Sequence, residues 1–181
     1  MSKTQDFEQQ DKEYIANTYG RFNVCFEKGK GSLLWDVEGK EYIDLGSGIG
    51  VTAFGVDDDE WSKAVIEQTH ALNHISNLYY SVPQIKLAEL LCKKTGMKKV
   101  FFCNSGAESN ECSIKAARKY SHDKYGEDRN VIVTLVNSFH GRTVTTLSAT
   151  GQDVFHQHFF PFTEGFIHTP ANDIDAALKV L

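Results

Sequence analysis

The stretch from Val100 to Glu111 most constrains how this chain can fold. It begins with an apolar run, Val100–Cys103, that predicts a buried strand, and the run stops at Asn-Ser-Gly. Apolar residues then recur at helical spacing, and Ser105 with Glu108 forms the Ser-x-x-Glu capping box that is typical of a helix start. The pattern therefore predicts a strand at Val100–Cys103 and a helix that begins within a residue or two of Gly106.

A helix that begins directly after a strand and a glycine turn leaves backbone N–H groups available at its first turn. Those groups and the helix dipole favour an anion, most often a phosphate. An ordinary strand–helix turn without a ligand fits the same spacing. The motif alone leaves both interpretations open.

A second apolar run, Val131–Val136, predicts another buried strand and ends in the polar loop 137–143. From residue 83 onward helices and strands alternate, which is typical of a parallel α/β sheet. Such sheets bind ligands beyond the carboxyl ends of their strands, where loops 104–108 and 137–143 are both expected. This agreement favours a ligand that carries a phosphate.

The sequence pattern before residue 83 does not alternate strands with helices; it predicts a polar segment, a β-hairpin and one helix. Residues 1–18 are polar and are expected to be loosely held. Strands at 32–36 and 41–45 are expected to form a hairpin, with Gly39 in the turn between them. The side chains expected on its buried face are Trp35, Ile43 and Leu45. An amphipathic helix is predicted at 60–72.

The glycine-rich stretch Asp44–Gly50 resembles the first motif of S-adenosylmethionine-dependent methyltransferases and, less closely, the dinucleotide fingerprint. Both folds need a helix directly after the glycines. Residues 51–55 are instead β-branched and bounded by glycine, and no helix is expected before Asp57. A methyltransferase that uses Asp44–Gly50 is the alternative from a different class, and a module without chemistry of its own is a third.

Composition narrows the expected partners. The net charge is −5 and there is no basic tract, so neither nucleic acid nor an anionic membrane surface is an expected partner. No apolar run approaches the roughly 18 residues of a membrane helix, and the polar first residues do not form a signal peptide. The four cysteines form no C-x-x-C pair, which favours a reduced, cytoplasmic setting.

Three histidines near the end of the sequence raise the question of a metal site. They are His156, His158 and His168. An H-x-H pair without a third ligand at helical spacing is a weak metal signal, and no metal site is predicted.

Two segments, Asn104–Glu111 and Ser138–Thr143, together resemble the paired signatures of the class III, pyridoxal-phosphate-dependent aminotransferases. Further similar segments lie at Lys28–Gly31, Leu34–Asp44 and Gly48–Ile49. The resemblance therefore covers nearly the whole chain.

The resemblance implies an α/β fold of the fold-type I class, with a small N-terminal β-containing region before a mostly parallel αβα large domain. Residues 1–60 are then assigned to the small domain and residues 61–181 to the first part of the large, cofactor-binding domain. No lysine here matches the motif of the lysine that forms the Schiff base. That lysine is expected beyond Leu181, and no catalytic residue is assigned within the chain, which is interpreted as the N-terminal half of an aminotransferase.

The resemblance also implies the activity, the cofactor and the partners. The cofactor is pyridoxal 5′-phosphate, the substrates are an amino acid and a 2-oxo acid, and the full-length enzyme is expected to be a homodimer. The expected substrate pair is N-acetylornithine and 2-oxoglutarate, as in arginine biosynthesis. Ornithine, succinylornithine and 4-aminobutyrate remain alternative amino donors.

The site residues follow from the same resemblance. Those implied to hold the cofactor phosphate are Ser105, Gly106 and Ala107. Phe139 is implied to stack against the pyridine ring, and Arg142 to bind the substrate α-carboxylate through its planar fork. Tyr19 is placed on the substrate side, and the role of His140 is open. The alternatives are a core position for Phe139 and a plain surface charge for Arg142.

Overall fold

The structure is a computed structural model that describes residues 1–180. The chain folds as two units, one that ends at Ser81 and one that begins at Val82. Each unit has its own sheet.

The first unit is built on a three-stranded antiparallel sheet. Its strands are β1 (Phe26–Lys30), β2 (Leu33–Asp36) and β3 (Glu41–Ile43), in the order β1-β2-β3. The pairing of β2 with β3 confirms the predicted hairpin, and Gly39 in its turn has a φ of 86°, which L side chains rarely adopt. The sequence pattern does not predict β1, because that strand contains a single apolar residue.

The carboxylate of Asp36 closes the hairpin turn. Asp36 is 7% exposed, and its Oδ1 accepts hydrogen bonds from the N–H groups of Glu38 at 3.0 Å and Lys40 at 2.8 Å. Its Oδ2 accepts a hydrogen bond from the Tyr42 hydroxyl at 2.9 Å. These three donors offset the cost of burying the carboxylate.

The predicted buried face of the hairpin is wrong. Ile43 is 69% exposed and Leu45 is 92% exposed, while Trp35 is half-buried. No element of residues 1–81 covers Ile43 and Leu45. An alternating pattern shows which side chains share a face of a sheet, but it does not show which other element packs on that face.

Helix α1 (Lys3–Tyr14) corrects the expectation that residues 1–18 are loosely held. The Ser2 hydroxyl accepts the N–H of Gln5 at 3.2 Å, and the Gln5 side chain accepts the N–H of Ser2 at 2.9 Å. This reciprocal pair is a complete capping box. Glu38 of the hairpin turn also accepts two hydrogen bonds from the first turn of the helix, which ties α1 to the sheet.

The glycine-rich stretch forms α2 (Ser47–Gly50), a single turn with positive φ, from 47° at Ser47 to 81° at Gly50. The turn is therefore left-handed, a conformation that alternating glycines permit. The expectation that no helix begins before Asp57 is wrong for this reason.

Helix α3 (Asp59–Leu72) confirms the helix predicted at 60–72, and the Asp58 carboxylate caps it by accepting the N–H of Trp61 at 2.8 Å. It is the first right-handed helix after the glycines within residues 1–81. A phosphate-binding helix start therefore does not follow the glycines directly, and the structure does not support a methyltransferase site at Asp44–Gly50.

The second unit alternates helices with two parallel strands. Its elements are α4 (Val82–Thr95), α5 (Gly106–Tyr125), β4 (Ile132–Leu135), α6 (Val144–Ala149), a 3₁₀ turn (Asp153–Phe155), β5 (Phe166–Thr169) and α7 (Ile174–Lys179). β4 and β5 pair in parallel, with Ile132 opposite Phe166 and Leu135 opposite Thr169. The predicted parallel α/β arrangement is confirmed for these strands.

The strand predicted at Val100–Cys103 is wrong. These residues pair with no strand within residues 1–180, and Phe101 is 64% exposed. An apolar run predicts burial, whereas a strand also needs a hydrogen-bonded neighbour.

Hydroxyl side chains make up much of the buried core of the second unit. The buried side chains are Thr134, Thr146, Ser148, Thr150 and Thr169, beside Ile114, Leu147 and Ala149. The Thr134 hydroxyl donates to the carbonyl of Ala149 at 2.8 Å, and the Thr150 hydroxyl donates to the carbonyl of Thr146 at 2.9 Å. The first bond joins β4 to α6, and the second closes the last turn of α6.

Candidate cofactor and substrate site

The predicted phosphate site lies at the N-terminus of α5. The helix begins at Gly106, as predicted, and the hydroxyl of its N-cap Ser105 accepts the N–H of Glu108 at 3.2 Å. The Ser105 carbonyl accepts the N–H of Ser109 at 3.0 Å. The N–H groups of Gly106 and Ala107 have no hydrogen-bond partner among residues 1–180. Together with the helix dipole, these two donors form an anion site.

The Glu108 carboxylate closes the turn before the helix. It accepts the N–H of Asn104 at 2.7 Å, the Asn104 amide nitrogen at 3.3 Å and the Ser105 hydroxyl at 3.2 Å. The side-chain hydrogen bond from Asn104, followed by its backbone hydrogen bond, holds the pKa of Glu108 below its ordinary value. The capping box thus differs from the predicted one, because Glu108 binds the N–H one residue before the N-cap.

The loop 137–143 packs directly against this helix start. Gly141 is buried with a φ of 130°, and a Cβ built on it would lie 2.7 Å from the Cβ of Ala107. Only glycine allows this approach. The Asn110 side-chain amide also donates to the carbonyl of His140 at 2.8 Å. The structure therefore brings together the two loops that the sequence singles out.

Phe139 and Arg142 flank this contact in the sequence of the loop, one on each side of residues 140 and 141. Phe139 is 53% exposed, and its ring centroid lies 5.6 Å from that of Phe155. The guanidinium carbon of Arg142 lies 5.9 Å from each of the two ring centroids, within cation–π range. Phe139 is thus not a core side chain, and its ring is exposed enough to stack against a flat ligand.

Tyr19 belongs to the first unit, whereas the other predicted site residues belong to the second. It is 57% exposed and lines a cavity of about 600 Å³ formed by α1 and the segment that follows it. Asp11 and Arg21 line the same cavity and form an ion pair at 3.1 Å. The substrate-side role of Tyr19 stays a prediction.

The backbone of His140 binds the loop to two neighbouring segments, one that carries Thr150 and one that carries Asn110. Its N–H donates to the Thr150 hydroxyl at 3.0 Å, and its carbonyl accepts the bond from Asn110. Its ring Nδ1 lies 3.4 Å from the Ser138 hydroxyl. The sequence does not reveal the roles of Asn110 and Thr150, because both depend on contacts between segments far apart in the chain. Gly141 differs, because a glycine within a polar loop is itself a sequence signal for a close backbone approach.

The residues that the structure describes contain neither a metal-ligand cluster nor a membrane-spanning helix. Within residues 1–180 there is no group of three or more His, Cys, Asp or Glu side chains that could hold a metal ion. None of the helices described is long and apolar enough to cross a membrane. His156 instead binds the carbonyl of Leu147 through its Nε2 at 3.0 Å.

Comparison with known proteins finds relatives that match nearly the whole length of this chain. Residues 14–179 match the family described as Aminotransferase class-III. An acetylornithine aminotransferase from Haemophilus ducreyi is 56% identical over 168 residues, which are 93% of this chain and 43% of that protein. An acetylornithine aminotransferase from Wolinella succinogenes is 48% identical over 94% of this chain and 44% of its own length.

Solved structures show the same fold. An ornithine aminotransferase from Toxoplasma gondii, which has partial occupancy of pyridoxal phosphate at its active site, matches with a TM-score of 0.92 at 26% identity. The match covers 98% of this chain and 42% of that one. The chain thus spans less than half the length of the relatives it matches.

Proposed function

The chain belongs to the class III aminotransferases, and on that premise we propose that the protein that carries it transfers an amino group from N-acetylornithine to 2-oxoglutarate. The choice of donor is supported by relatives named as acetylornithine aminotransferases, the first of which is 56% identical. Ornithine, succinylornithine and 4-aminobutyrate are the alternative donors.

The observation that carries the proposal is the pair of N–H donors at Gly106 and Ala107, against which packs the loop that carries the exposed ring of Phe139. Two N–H groups at the start of a 20-residue helix suit a phosphate, and an exposed aromatic face suits a flat heterocycle. A phosphate and a flat heterocycle are the two parts of pyridoxal phosphate, the cofactor of this family. When bound, the cofactor supplies the electron sink for the charge that develops at the substrate carbon.

The residue roles divide between the cofactor and the substrate. Ser105, Gly106 and Ala107 are proposed to form the phosphate cradle. Because the Ser105 hydroxyl donates to Glu108, the cradle depends mainly on the two backbone donors. Arg142 is proposed to bind the substrate α-carboxylate in a bidentate fork, oriented by the rings of Phe139 and Phe155. Tyr19 is proposed to contact the substrate.

The assembly is also a proposal. We infer a homodimer in the cytoplasm, with residues 1–60 in the small domain and residues 61–181 in the first part of the large domain. The lysine that the chemistry needs has no counterpart among the lysines of this sequence. The 181-residue polypeptide alone is therefore expected to be inactive.

The test of function is a donor comparison with the native-length protein. The protein is loaded with pyridoxal phosphate and mixed with 2-oxoglutarate and one of the four amino donors, and glutamate formation is measured. We expect N-acetylornithine to give the highest kcat/KM, and a reaction without 2-oxoglutarate is the control. A clear preference for another donor would refute the substrate assignment, and absence of glutamate with every donor would refute the activity.

A further inference from the structure

Two polar side chains of α5, Asn110 and Glu111, reach from the helix to the loop that carries Arg142. The amide nitrogen of Asn110 donates to the carbonyl of His140 at 2.8 Å. The Glu111 carboxylate accepts a hydrogen bond from the Thr143 hydroxyl at 2.5 Å. Both side chains lie just beyond the helix turn that supplies the proposed phosphate donors.

These two contacts bracket Arg142. His140 lies two residues before it and Thr143 directly after it, so the backbone on both sides of Arg142 is tied to α5. Between them, Gly141 packs against Ala107 of the first helix turn. The segment that carries the guanidinium is therefore fixed to the helix start at three points.

The Glu111 contact also fixes how the loop enters α6. Thr143 is the N-cap of α6, and its hydroxyl oxygen accepts the N–H of Thr146 at 3.3 Å. A threonine hydroxyl has one hydrogen and two lone pairs. Donating that hydrogen to Glu111 leaves the lone pairs available for the helix cap. One hydroxyl thus joins the loop, α5 and α6.

We propose that Asn110 and Glu111 are positioning residues that hold Arg142 at a set distance from the N–H groups of Gly106 and Ala107. This inference rests on the proposed function, which assigns the cofactor phosphate to those N–H groups and the substrate carboxylate to Arg142. A single helix then sets the separation of the two anion sites. The separation favours amino acids whose carboxylate reaches Arg142 while the cofactor phosphate is seated.

The test compares Glu111→Ala with Glu111→Gln in the native-length protein. Glutamine keeps an oxygen acceptor for Thr143, and alanine does not. We expect Glu111→Ala to raise the KM for the amino donor about tenfold, and Glu111→Gln to restore it. Asn110→Ala should raise the same KM. The Kd of pyridoxal phosphate, followed by absorbance, should stay within about twofold of the wild-type value in all three variants.

A double-mutant cycle with Arg142→Ala separates positioning from support of the fold. Arg142→Ala alone should raise the KM about 30- to 150-fold, since it removes a charge-assisted bidentate contact. In that background Glu111→Ala should have no further effect on KM, because its target is already absent. Ser109→Ala is the matched control: Ser109 is exposed on the same helix turn, and its KM should equal that of the wild type.

Two results would overturn the positioning role. One is an unchanged KM in Glu111→Ala, and the other is an effect that adds fully to that of Arg142→Ala. If the wild-type protein itself neither binds pyridoxal phosphate nor transfers amino groups, the proposed function fails instead. The two failures are therefore distinguishable.

Discussion

At the scale of single residues, the proposed cradle depends on a backbone donor at Gly106 that one substitution can remove. Gly106→Pro deletes the N–H while leaving the helix start intact, since proline is favoured at the first helical position. Ser105 already has the extended conformation, with φ −154° and ψ 160°, that a residue before proline requires. We expect the Kd of pyridoxal phosphate to rise about 10- to 100-fold, measured by absorbance titration of the native-length protein.

Gly106→Ala is the matched control for that experiment. It adds a Cβ, as proline does, but it keeps the N–H, and a Cβ at this position meets no atom within 4 Å. The difference between the two variants therefore measures the donor alone. Equal affinities in the two variants would show that the phosphate is held elsewhere.

Some residues of the candidate site are marked by local sequence signals, and others are not. Ser105 and Gly106 are found from local signals, because a capping serine and a glycine turn act on their immediate neighbours. Asn110 and Thr150 contact His140 from segments distant in the chain, and no local pattern specifies such a contact. The roles of these two side chains follow only from the tertiary contacts that the folded structure shows.

At the scale of elements, the start of α5 should depend on acid pH through Glu108. Its pKa is lowered in the folded protein by the hydrogen bonds from Asn104. A lowered carboxyl pKa contributes stability that is fully present above the unfolded value, about pH 4.3, and is lost as the pH falls through the folded value. Glu108→Gln should therefore destabilise the protein at neutral pH and have little effect once the pH lies below the lowered pKa of Glu108 in the folded protein.

Denaturant unfolding of Glu108→Gln and wild type at several pH values tests this expectation. Glu127→Gln is the control, because the Glu127 carboxylate has no hydrogen-bond partner among residues 1–180. A stability difference between Glu108→Gln and wild type that is the same at neutral and acid pH would contradict the assigned role.

Elements with strong end signals are predicted well from the sequence, and paired elements less well. The starts of α3 and α5 and the β2–β3 hairpin follow from capping residues and a turn glycine. The strand at Val100–Cys103 fails because strand formation depends on a partner and not on the run itself. Helix α1 was missed for a different reason. Ser2 and Gln5 form a capping box, but the polar composition of residues 1–18 provides no apolar face that would indicate a helix.

At the scale of the whole molecule, both units expose large apolar side chains. Phe22 and Tyr80 are each 94% exposed in the first unit, and Val144 is 66% exposed in the second. β4 also has a single strand partner, β5, within residues 1–180, which leaves its other edge open to pairing. Exposed apolar surface and an open edge both favour association between chains.

We therefore expect the isolated 181-residue polypeptide to self-associate and to lack transaminase activity. Sedimentation velocity at several concentrations measures the association, and glutamate formation measures the activity. The native-length protein, loaded with pyridoxal phosphate, is the reference. A monomer with a sharp cooperative melting transition and measurable turnover would contradict both the association and the placement of the lysine outside these residues.

The hydroxyl-rich core of the second unit bears on how stability changes with temperature. Unfolding that exposes apolar surface raises the heat capacity, by about 0.45 cal/mol/K per Å², whereas exposing polar surface lowers it, by about 0.26. Thr134, Thr146 and Thr150 contribute polar atoms to the buried interior, where hydrocarbon is the usual content. The two contributions partly cancel, so the heat-capacity change of this unit should be small. Its stability curve should then be flat, with a stability that varies little between cold and warm conditions.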